Sequence, residues 1–194
     1  MIIQRALMTD PHDLRDIALQ CVSLAASSTN IREVPAEIII PETKSSNSDY
    51  VTWVDREIES KMAEFLKESR EQDGILAEEG SLNIGSSGVR WIIDPIDGTR
   101  SFVIGSPTWS NLISINYKNE PTFGLVNFPM LKKYYITGPD NKSYLVENNK
   151  FKKLKVIKAK SLNNSKIAGN FFGWLTLKEQ KKISKLTRLM RYPC

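Results

Sequence analysis

The sequence predicts an α+β fold in which helices flank an antiparallel sheet. Two segments in the first third of the chain carry apolar residues at helical spacing, whereas the middle alternates short apolar runs with turn residues. A further helix is predicted near the end of the sequence. A chain of 194 residues can bury one sizeable core, or a core and part of a second.

Both early helices have recognisable starts. Asp10 and Pro11 suit the N-cap and first position of the first helix, which ends in the polar stretch Ser27–Asn30. The second helix has Asp55 in its first turn, where a carboxylate favours helix formation. The apolar faces comprise Leu14, Ile17, Ala18, Cys21, Leu24 and Ala25 in the first helix, and Val54, Ile58, Met62, Phe65 and Leu66 in the second.

Strands are predicted in the middle of the chain. Gly74–Ala77 is a short strand that leads into Glu78, and Trp91–Ile93 is a buried strand that ends at Asp94. A loop rich in Gly, Ser and Asn, residues 81–88, separates them. Four more apolar runs, joined by polar turns, predict an antiparallel meander: Asn111–Tyr117, Thr122–Phe128, Lys133–Thr137 and Ser143–Val146.

The last helix is predicted from Thr176 and Glu179, whose spacing is that of a capping box. We expect two domains, with an α+β unit over residues 1–148 and the start of an α/β domain over residues 149–194. The predicted inner face of the last helix comprises Ile183, Leu186, Leu189 and Met190.

Composition excludes several classes of protein. The hydrophobic share of 41% and the charged share of 25% are ordinary for a globular protein, and no apolar run is long enough to span a bilayer. Charged residues interrupt the first segment, so no signal peptide is expected, and the two cysteines make no disulfide framework. We therefore expect a cytoplasmic protein with no membrane partner.

Basic residues are concentrated late in the chain. Residues 150–194 contain 13 of the 27 basic residues and only one of the 22 acidic ones. The lysines are spread between apolar residues and lack an aromatic platform, so we expect a solvated basic face and no nucleic-acid partner. Such a face helps to attract an anionic substrate.

Three acidic clusters lie at the edges of apolar elements: residues 49–55, the pair Glu78 and Glu79, and residues 94–99. In the third cluster a buried strand runs directly into two carboxylates that bracket a proline and are followed by Gly-Thr. A turn alone also explains this segment, because Asp, Pro and Gly are turn formers. Mg²⁺ prefers hard oxygen ligands and pairs carboxylates with phosphate oxygens, which favours a metal site.

The same segment suits phosphate chemistry. Asp94 and Asp97 can face one point if the backbone between them bends, which also frees the Ile96 carbonyl as a ligand. Gly98 and Thr99 then open a short helix whose free N–H groups can hold a phosphate. Two metal ions at such a site clamp the attacking and leaving oxygens of an in-line displacement.

At this point a family resemblance is evident. Residues 91–99, Trp-Ile-Ile-Asp-Pro-Ile-Asp-Gly-Thr, resemble the first signature of the inositol monophosphatase superfamily. Residues 44–55 and the pair Glu78 and Glu79 resemble its two other N-terminal motifs, in the same order. The resemblance covers essentially the whole chain. It implies the layered αβαβα sandwich of the inositol monophosphatase and fructose-1,6-bisphosphatase type, with the C-terminal part incomplete.

The resemblance also implies roles for individual residues, with two or three Mg²⁺ ions, or Mn²⁺, as cofactor. Glu78, Asp94 and the Ile96 carbonyl would hold the first ion, and Asp94 and Asp97 the second. Asp55 and Thr99 would orient and activate the attacking water, without a covalent phosphoenzyme. The residues implied to bind substrate or phosphate are Ile96, Asp97, Gly98, Thr99, Arg100 and Arg191.

Within the superfamily, the arginine after Asp-Gly-Thr and the following Pro107-Thr108-Trp109 resemble histidinol-phosphate phosphatase. The implied reaction is hydrolysis of L-histidinol phosphate. The alternatives are inositol monophosphatase and a phosphatase of 3′-phosphoadenosine 5′-phosphate. A haloacid dehalogenase-type site fits poorly, because its two aspartates lie two positions apart and because it would leave Asp55 and Glu78 without roles.

The family has a further Trp-Asp motif in its C-terminal domain, and its aspartate completes the second metal site. The present sequence lacks that motif. From the sequence we therefore expect a truncated chain with little phosphatase activity, and an inactive metal-binding fragment is the alternative to an enzyme. We also expect a homodimer, because missing strands would expose apolar surface.

Overall fold

The computed structural model describes residues 11–29, 42–43, 50–51, 53–80, 82–156 and 176–189. The chain divides into two compact units, Met1–Leu154 and Lys155–Cys194. Residues 149–154, which the sequence analysis assigned to the second domain, fall within the first unit because a strand there pairs with the one before it.

Two helices, α1 (Pro11–Ser28) and α2 (Trp53–Ser69), pack against each other and against the sheet. Both were predicted, and each buries the face that its apolar spacing indicated. The hydroxyls of Ser28 and Thr29 donate to carbonyls of the last turn of α1, which satisfies groups left open where a helix ends. The buried residues of the two helices include Leu14, Ile17, Ala18, Cys21, Val22, Ala25, Val54, Ile58, Met62 and Leu66.

An eight-stranded sheet forms the centre of the first unit, while β1 (Glu42–Thr43) and β2 (Tyr50–Val51) form a separate pair. The strands of the sheet are β3 (Gly74–Ala77), β4 (Leu82–Asn83), β5 (Val89–Asp97), β6 (Ser110–Tyr117), β7 (Glu120–Phe128), β8 (Lys133–Thr137), β9 (Ser143–Glu147) and β10 (Lys150–Lys153). Their order across the sheet is β10-β9-β8-β7-β6-β5-β3-β4. The predicted meander is confirmed, since β6 to β9 pair antiparallel with their neighbours. The sheet predicted as antiparallel is mixed, because β3 and β5 run parallel.

Three further features of the sheet differ from the prediction. The loop at residues 81–88 contains the short strand β4, which pairs antiparallel with β3. Strand β5 does not stop at Asp94 but continues to Asp97 through a break in its register with β6. Strand β10 was not predicted, because all of its side chains are exposed and it lacks the alternation of a half-buried strand.

The core lies between the helices and the sheet and reaches the end of β5. Trp91, Phe102 and Trp109 are fully buried, and the rings of Phe102 and Trp109 meet edge to face at 5.3 Å. Phe102 belongs to the short helix α3 (Thr99–Val103) that follows β5. The segment after β5 is thus anchored by aromatic packing.

The other end of β5 is fixed by a buried carboxylate. Asp73 accepts hydrogen bonds from the Trp91 indole nitrogen (2.9 Å), the Ser87 hydroxyl (2.7 Å) and the Arg70 guanidinium (2.8 Å). Because Asp73 immediately precedes β3, these bonds tie the start of β3 to the start of β5.

In the second unit, α4 (Leu177–Leu189) begins with the predicted capping box. The Glu179 carboxylate accepts from the Thr176 backbone N–H at 2.9 Å, and the Glu179 N–H donates back to the Thr176 hydroxyl at 3.4 Å. The predicted inner face of this helix lies outside the described side chains. None of the helices in the described ranges has the length and apolarity to cross a bilayer.

Candidate functional site

The parallel pairing of β3 with β5 brings two carboxylates together. Ala77 lies opposite Ile93, so Glu78 and Asp94 are the next residues of two adjacent strands. The Glu78 N–H donates to the Ile93 carbonyl at 3.3 Å, which continues the ladder to the end of β3. The carboxyl groups of Glu78 and Asp94 are close enough to raise the pKa of Asp94.

A β-bulge brings the third predicted carboxylate to the same edge. Asp94 pairs with Leu112 and Asp97 with Ser110, so the two residues between the aspartates face only one residue of β6. Asp97 is exposed, and one of its oxygens accepts from the Ser110 hydroxyl at 3.3 Å.

The electrostatics of the cluster show a deficit of positive charge. The pKa of Asp94 is raised to about 8, chiefly because its carboxyl group is buried. The neighbouring Glu78 carboxyl group and the charge of Asp97 raise it further. The nearby backbone N–H of Ile96 lowers that pKa in part. A proton on Asp94, or a nearby cation, reduces the repulsion between these carboxylates.

This donor set fits a divalent metal ion. Glu78, Asp94 and Asp97 offer hard oxygen atoms, and a cation can replace a proton on Asp94. Among the described residues, no three acidic, His or Cys side chains already stand arranged as a ligand set. One oxygen of Asp97 accepts from Ser110, which leaves its other oxygen for a metal ion.

The residues predicted to act on water lie beside this cluster. Asp55 is in the first turn of α2 and only 1% exposed. The Thr99 hydroxyl lies 3.5 Å from an Asp55 oxygen and 3.2 Å from the Ile96 carbonyl. The single proton of this hydroxyl therefore lies between two acceptors, the buried carboxylate and the carbonyl that was predicted to bind metal.

Gly98 turns the chain from the strand into α3. Its φ of 83° and ψ of 44° lie in the left-handed region, which glycine adopts without the clash of a Cβ. The turn places Thr99 and Arg100 at the start of α3, with the Arg100 side chain exposed. Arg191 and the motif residues 44–49 lie outside the described part of the chain.

Sequence reasoning missed Glu59, which lies one turn after Asp55 on α2. It is 3% exposed, and its carboxylate accepts from the Glu79 backbone N–H at 2.5 Å. Glu59 thereby connects α2 to the peptide that follows Glu78. The available signal was an acidic residue on the apolar face of the helix, adjacent to Ile58.

Sequence reasoning also missed a pair of asparagines. The Asn111 side chain, which is fully buried, donates to the Pro95 carbonyl at 2.7 Å, and Asn127 donates to the Asn111 oxygen at 2.9 Å. The available signal was an asparagine at the start of a strand that otherwise reads as apolar.

Comparison with known proteins gives consistent matches. A model of the inositol monophosphatase family matches residues 10–193. A histidinol-phosphatase of Mycobacterium tuberculosis is 36% identical over 122 residues, which are 63% of this chain and 46% of that protein. A Nus factor SuhB of Haemophilus influenzae is 37% identical over 97 residues, which are 50% of this chain and 36% of that protein. The matched region therefore spans less than half the length of these curated relatives.

Among solved structures, a Thermotoga maritima IMPase superposes with a TM-score of 0.72 at 26% identity. The superposition covers 92% of this chain and 67% of that chain. The sequence predicted helices and a central sheet of the inositol monophosphatase type. The structural similarity to this IMPase confirms that architecture.

Proposed function

Because the chain belongs to the inositol monophosphatase family, whose members are metal-dependent phosphatases of phosphomonoesters, we propose that its protein hydrolyses a small phosphomonoester with Mg²⁺. The observation that carries the proposal is the strand register that places Glu78, Asp94 and Asp97 at one sheet edge, beside the pair Asp55 and Thr99. No other feature of the described residues combines hard metal ligands with a buried base and a hydroxyl.

In this proposal, Glu78, Asp94, Asp97 and the Ile96 carbonyl hold the metal ions. When bound, Mg²⁺ supplies positive charge to the phosphate oxygens and lowers the pKa of a coordinated water. Mn²⁺ has similar preferences for oxygen ligands and is the expected substitute.

The chain's own residues position the reacting groups. Thr99 accepts a hydrogen bond from the attacking water and donates its own proton to the buried Asp55 carboxylate, so the water's lone pair faces phosphorus. The N–H groups of Gly98 and Thr99 hold phosphate oxygens at the start of α3. Arg100 adds a fork of donors at the same end, and Arg191 is proposed as a further substrate contact. The P–O ester bond breaks as the water oxygen bonds to phosphorus; the water gives up a proton, the leaving oxygen takes one up, and the products are an alcohol and inorganic phosphate.

The proposed substrate is L-histidinol phosphate. Two observations support it: the Arg100 and Pro107-Thr108-Trp109 pattern, and the similarity to a histidinol-phosphatase. The similarity to SuhB proteins and to an IMPase keeps an inositol monophosphate as the second candidate. We propose the cytoplasm as the site of the reaction and a homodimer as the active assembly, which light scattering checks.

The test has two stages. Calorimetry first measures Mg²⁺ and Mn²⁺ binding to the 194-residue chain, with Asp94→Asn as the disabled variant and Asp140→Asn, on an exposed turn, as the matched control. Phosphate release is then followed on that chain and on the longest translation product that contains it. The substrates are L-histidinol phosphate, inositol 1-phosphate and 3′-phosphoadenosine 5′-phosphate. Absence of binding at millimolar metal, or equal binding by Asp94→Asn, refutes the metal site.

A further inference from the structure

Strand β6 contributes a single residue to the space opposite the bulge of β5. Asp94 pairs with Leu112 and Asp97 with Ser110, so Asn111 alone faces Pro95 and Ile96. A bulge leaves one extra residue without hydrogen-bond partners on the neighbouring strand. When the backbone N–H and C=O groups of that residue are buried, they need hydrogen-bond partners elsewhere. Pro95 and Ile96 are both buried.

Asn111 supplies the missing partner. Its side-chain amide donates to the Pro95 carbonyl at 2.7 Å. Because a carbonyl oxygen only accepts, the NH₂ group of Asn111 has to face it, and the Asn111 oxygen then faces the NH₂ group of Asn127 at 2.9 Å. Asn127 is directly opposite Asn111 in the register of β6 and β7. The orientation of Asn111 is thus determined on both sides.

The bond to Pro95 has a consequence for the backbone between the two aspartates. The Pro95 carbonyl and the Ile96 N–H belong to one peptide unit, and no cis peptide bond occurs in the described residues. In a trans peptide the C=O and N–H groups point in opposite directions. A carbonyl held by Asn111 on the β6 side therefore directs the Ile96 N–H away from β6 and fixes the peptide that lies between Asp94 and Asp97.

We propose that Asn111, supported by Asn127, is a positioning residue that orients the Pro95–Ile96 peptide of the bulge, and with it the placement of Asp94 relative to Asp97, for metal binding. This inference rests on the proposed function, since it assigns Asn111 a part in that metal site. Groups that orient metal ligands through hydrogen bonds generally change metal affinity by about 10- to 100-fold when they are removed.

The test uses the full chain and the variant Asn111→Leu, which keeps the approximate size and removes the donor. Mn²⁺ affinity is measured by calorimetry, and the Ile96 amide is followed by ¹H–¹⁵N NMR without metal. We expect Mn²⁺ binding to weaken by about tenfold or more and the Ile96 amide resonance to move. The matched control is Asn116→Leu on the same strand, opposite Arg90 and far from the bulge, which should change neither.

Asn127→Leu is the second variant, because a half-buried position is less prone to block folding. It should weaken Mn²⁺ binding less than Asn111→Leu does, and the double variant should bind no more weakly than Asn111→Leu alone. A purely structural role lowers the melting temperature but leaves the dissociation constant of the folded protein and the Ile96 resonance unchanged.

The outcomes separate the two proposals. If the wild-type chain binds Mn²⁺ and the folded asparagine variants bind it equally well, the positioning inference is overturned and the metal site stands. If the wild type binds no metal, the proposed function fails. In that case an Ile96 resonance that moves in Asn127→Leu still supports the orienting contact, and one that stays in place overturns it.

Discussion

The carboxylates around Asp94 predict an unusual dependence of stability on pH. In the metal-free protein, ionised Asp94 places a negative charge beside Glu78 and Asp97. Asp94→Asn removes this charge and keeps the shape of the side chain. We therefore expect the variant to be more stable than the wild type at pH 8 without metal, although it loses metal binding.

The magnitude follows from the pKa of Asp94, which is raised from 3.8 to about 8. Each pKa unit corresponds to about 1.4 kcal/mol, which gives roughly 6 kcal/mol before screening. Asp94 is only half-buried, so we reduce this to about 2–3 kcal/mol. Because the folded-state pKa is the higher one, the contribution is fully present below about pH 4 and is lost as the pH rises through about 8.

The assay is urea unfolding of both proteins at several pH values between 4.5 and about 8.5 in EDTA, repeated with Mg²⁺. The difference between wild type and Asp94→Asn isolates this group from all other titrations. A hundredfold excess of Mg²⁺ over its dissociation constant should return about 2.7 kcal/mol to the wild type only. A wild-type curve parallel to that of the variant across this range would refute the reasoning, and Asp140→Asn serves as an exposed-acid control.

Three further predictions concern neighbouring residues. In the active protein, Asp55→Asn and Thr99→Ala should each lower kcat by about 100-fold or more with little change in KM, because the contribution of these side chains grows in the transition state. Steady-state kinetics check this prediction, and a near-normal kcat in either variant contradicts the role of that residue. Glu59→Ala removes the acceptor of a backbone N–H and should lower the free energy of unfolding by about 1–3 kcal/mol and weaken Mn²⁺ binding. Its control, Glu57→Ala, removes an exposed ion pair on the same helix and should leave Mn²⁺ affinity unchanged. Gly98→Ala should cost about 1–2 kcal/mol in thermal unfolding because its φ is 83°, and a neutral effect would show that the turn adapts.

The helices and the meander could be predicted because each element buries one face and exposes the other, which leaves a periodic pattern of apolar residues in the sequence. Helix α2 buries Val54, Ile58 and Met62 at the spacing that its sequence shows, and β8 has the predicted bounds. Periodicity contains no information about which strands pair, however. The parallel register of β3 and β5, which brings Glu78 to Asp94, depends on contacts distant from both residues, such as those of Asp73.

The candidate site was predictable only in part for the same reason. Asp55, Asp94 and Thr99 stand in motifs that resemble a family, and the structure places the Thr99 hydroxyl beside Asp55. Glu59 and Asn111 belong to no such motif, and a polar residue on an apolar face is informative only when its partner is known. Their partners are backbone groups of Glu79 and Pro95, which the sequence does not distinguish from any other peptide groups.

The two ends of the central sheet limit how this protein can associate. At one end β10 carries Lys150, Lys152 and Lys153, all exposed, and at the other end β4 has only two residues. Charge at one border and brevity at the other discourage the addition of a strand from a second chain. Concentrated solutions of the protein should therefore resist fibre growth through strand pairing. Variants that lack these lysines should be the first to form such fibres.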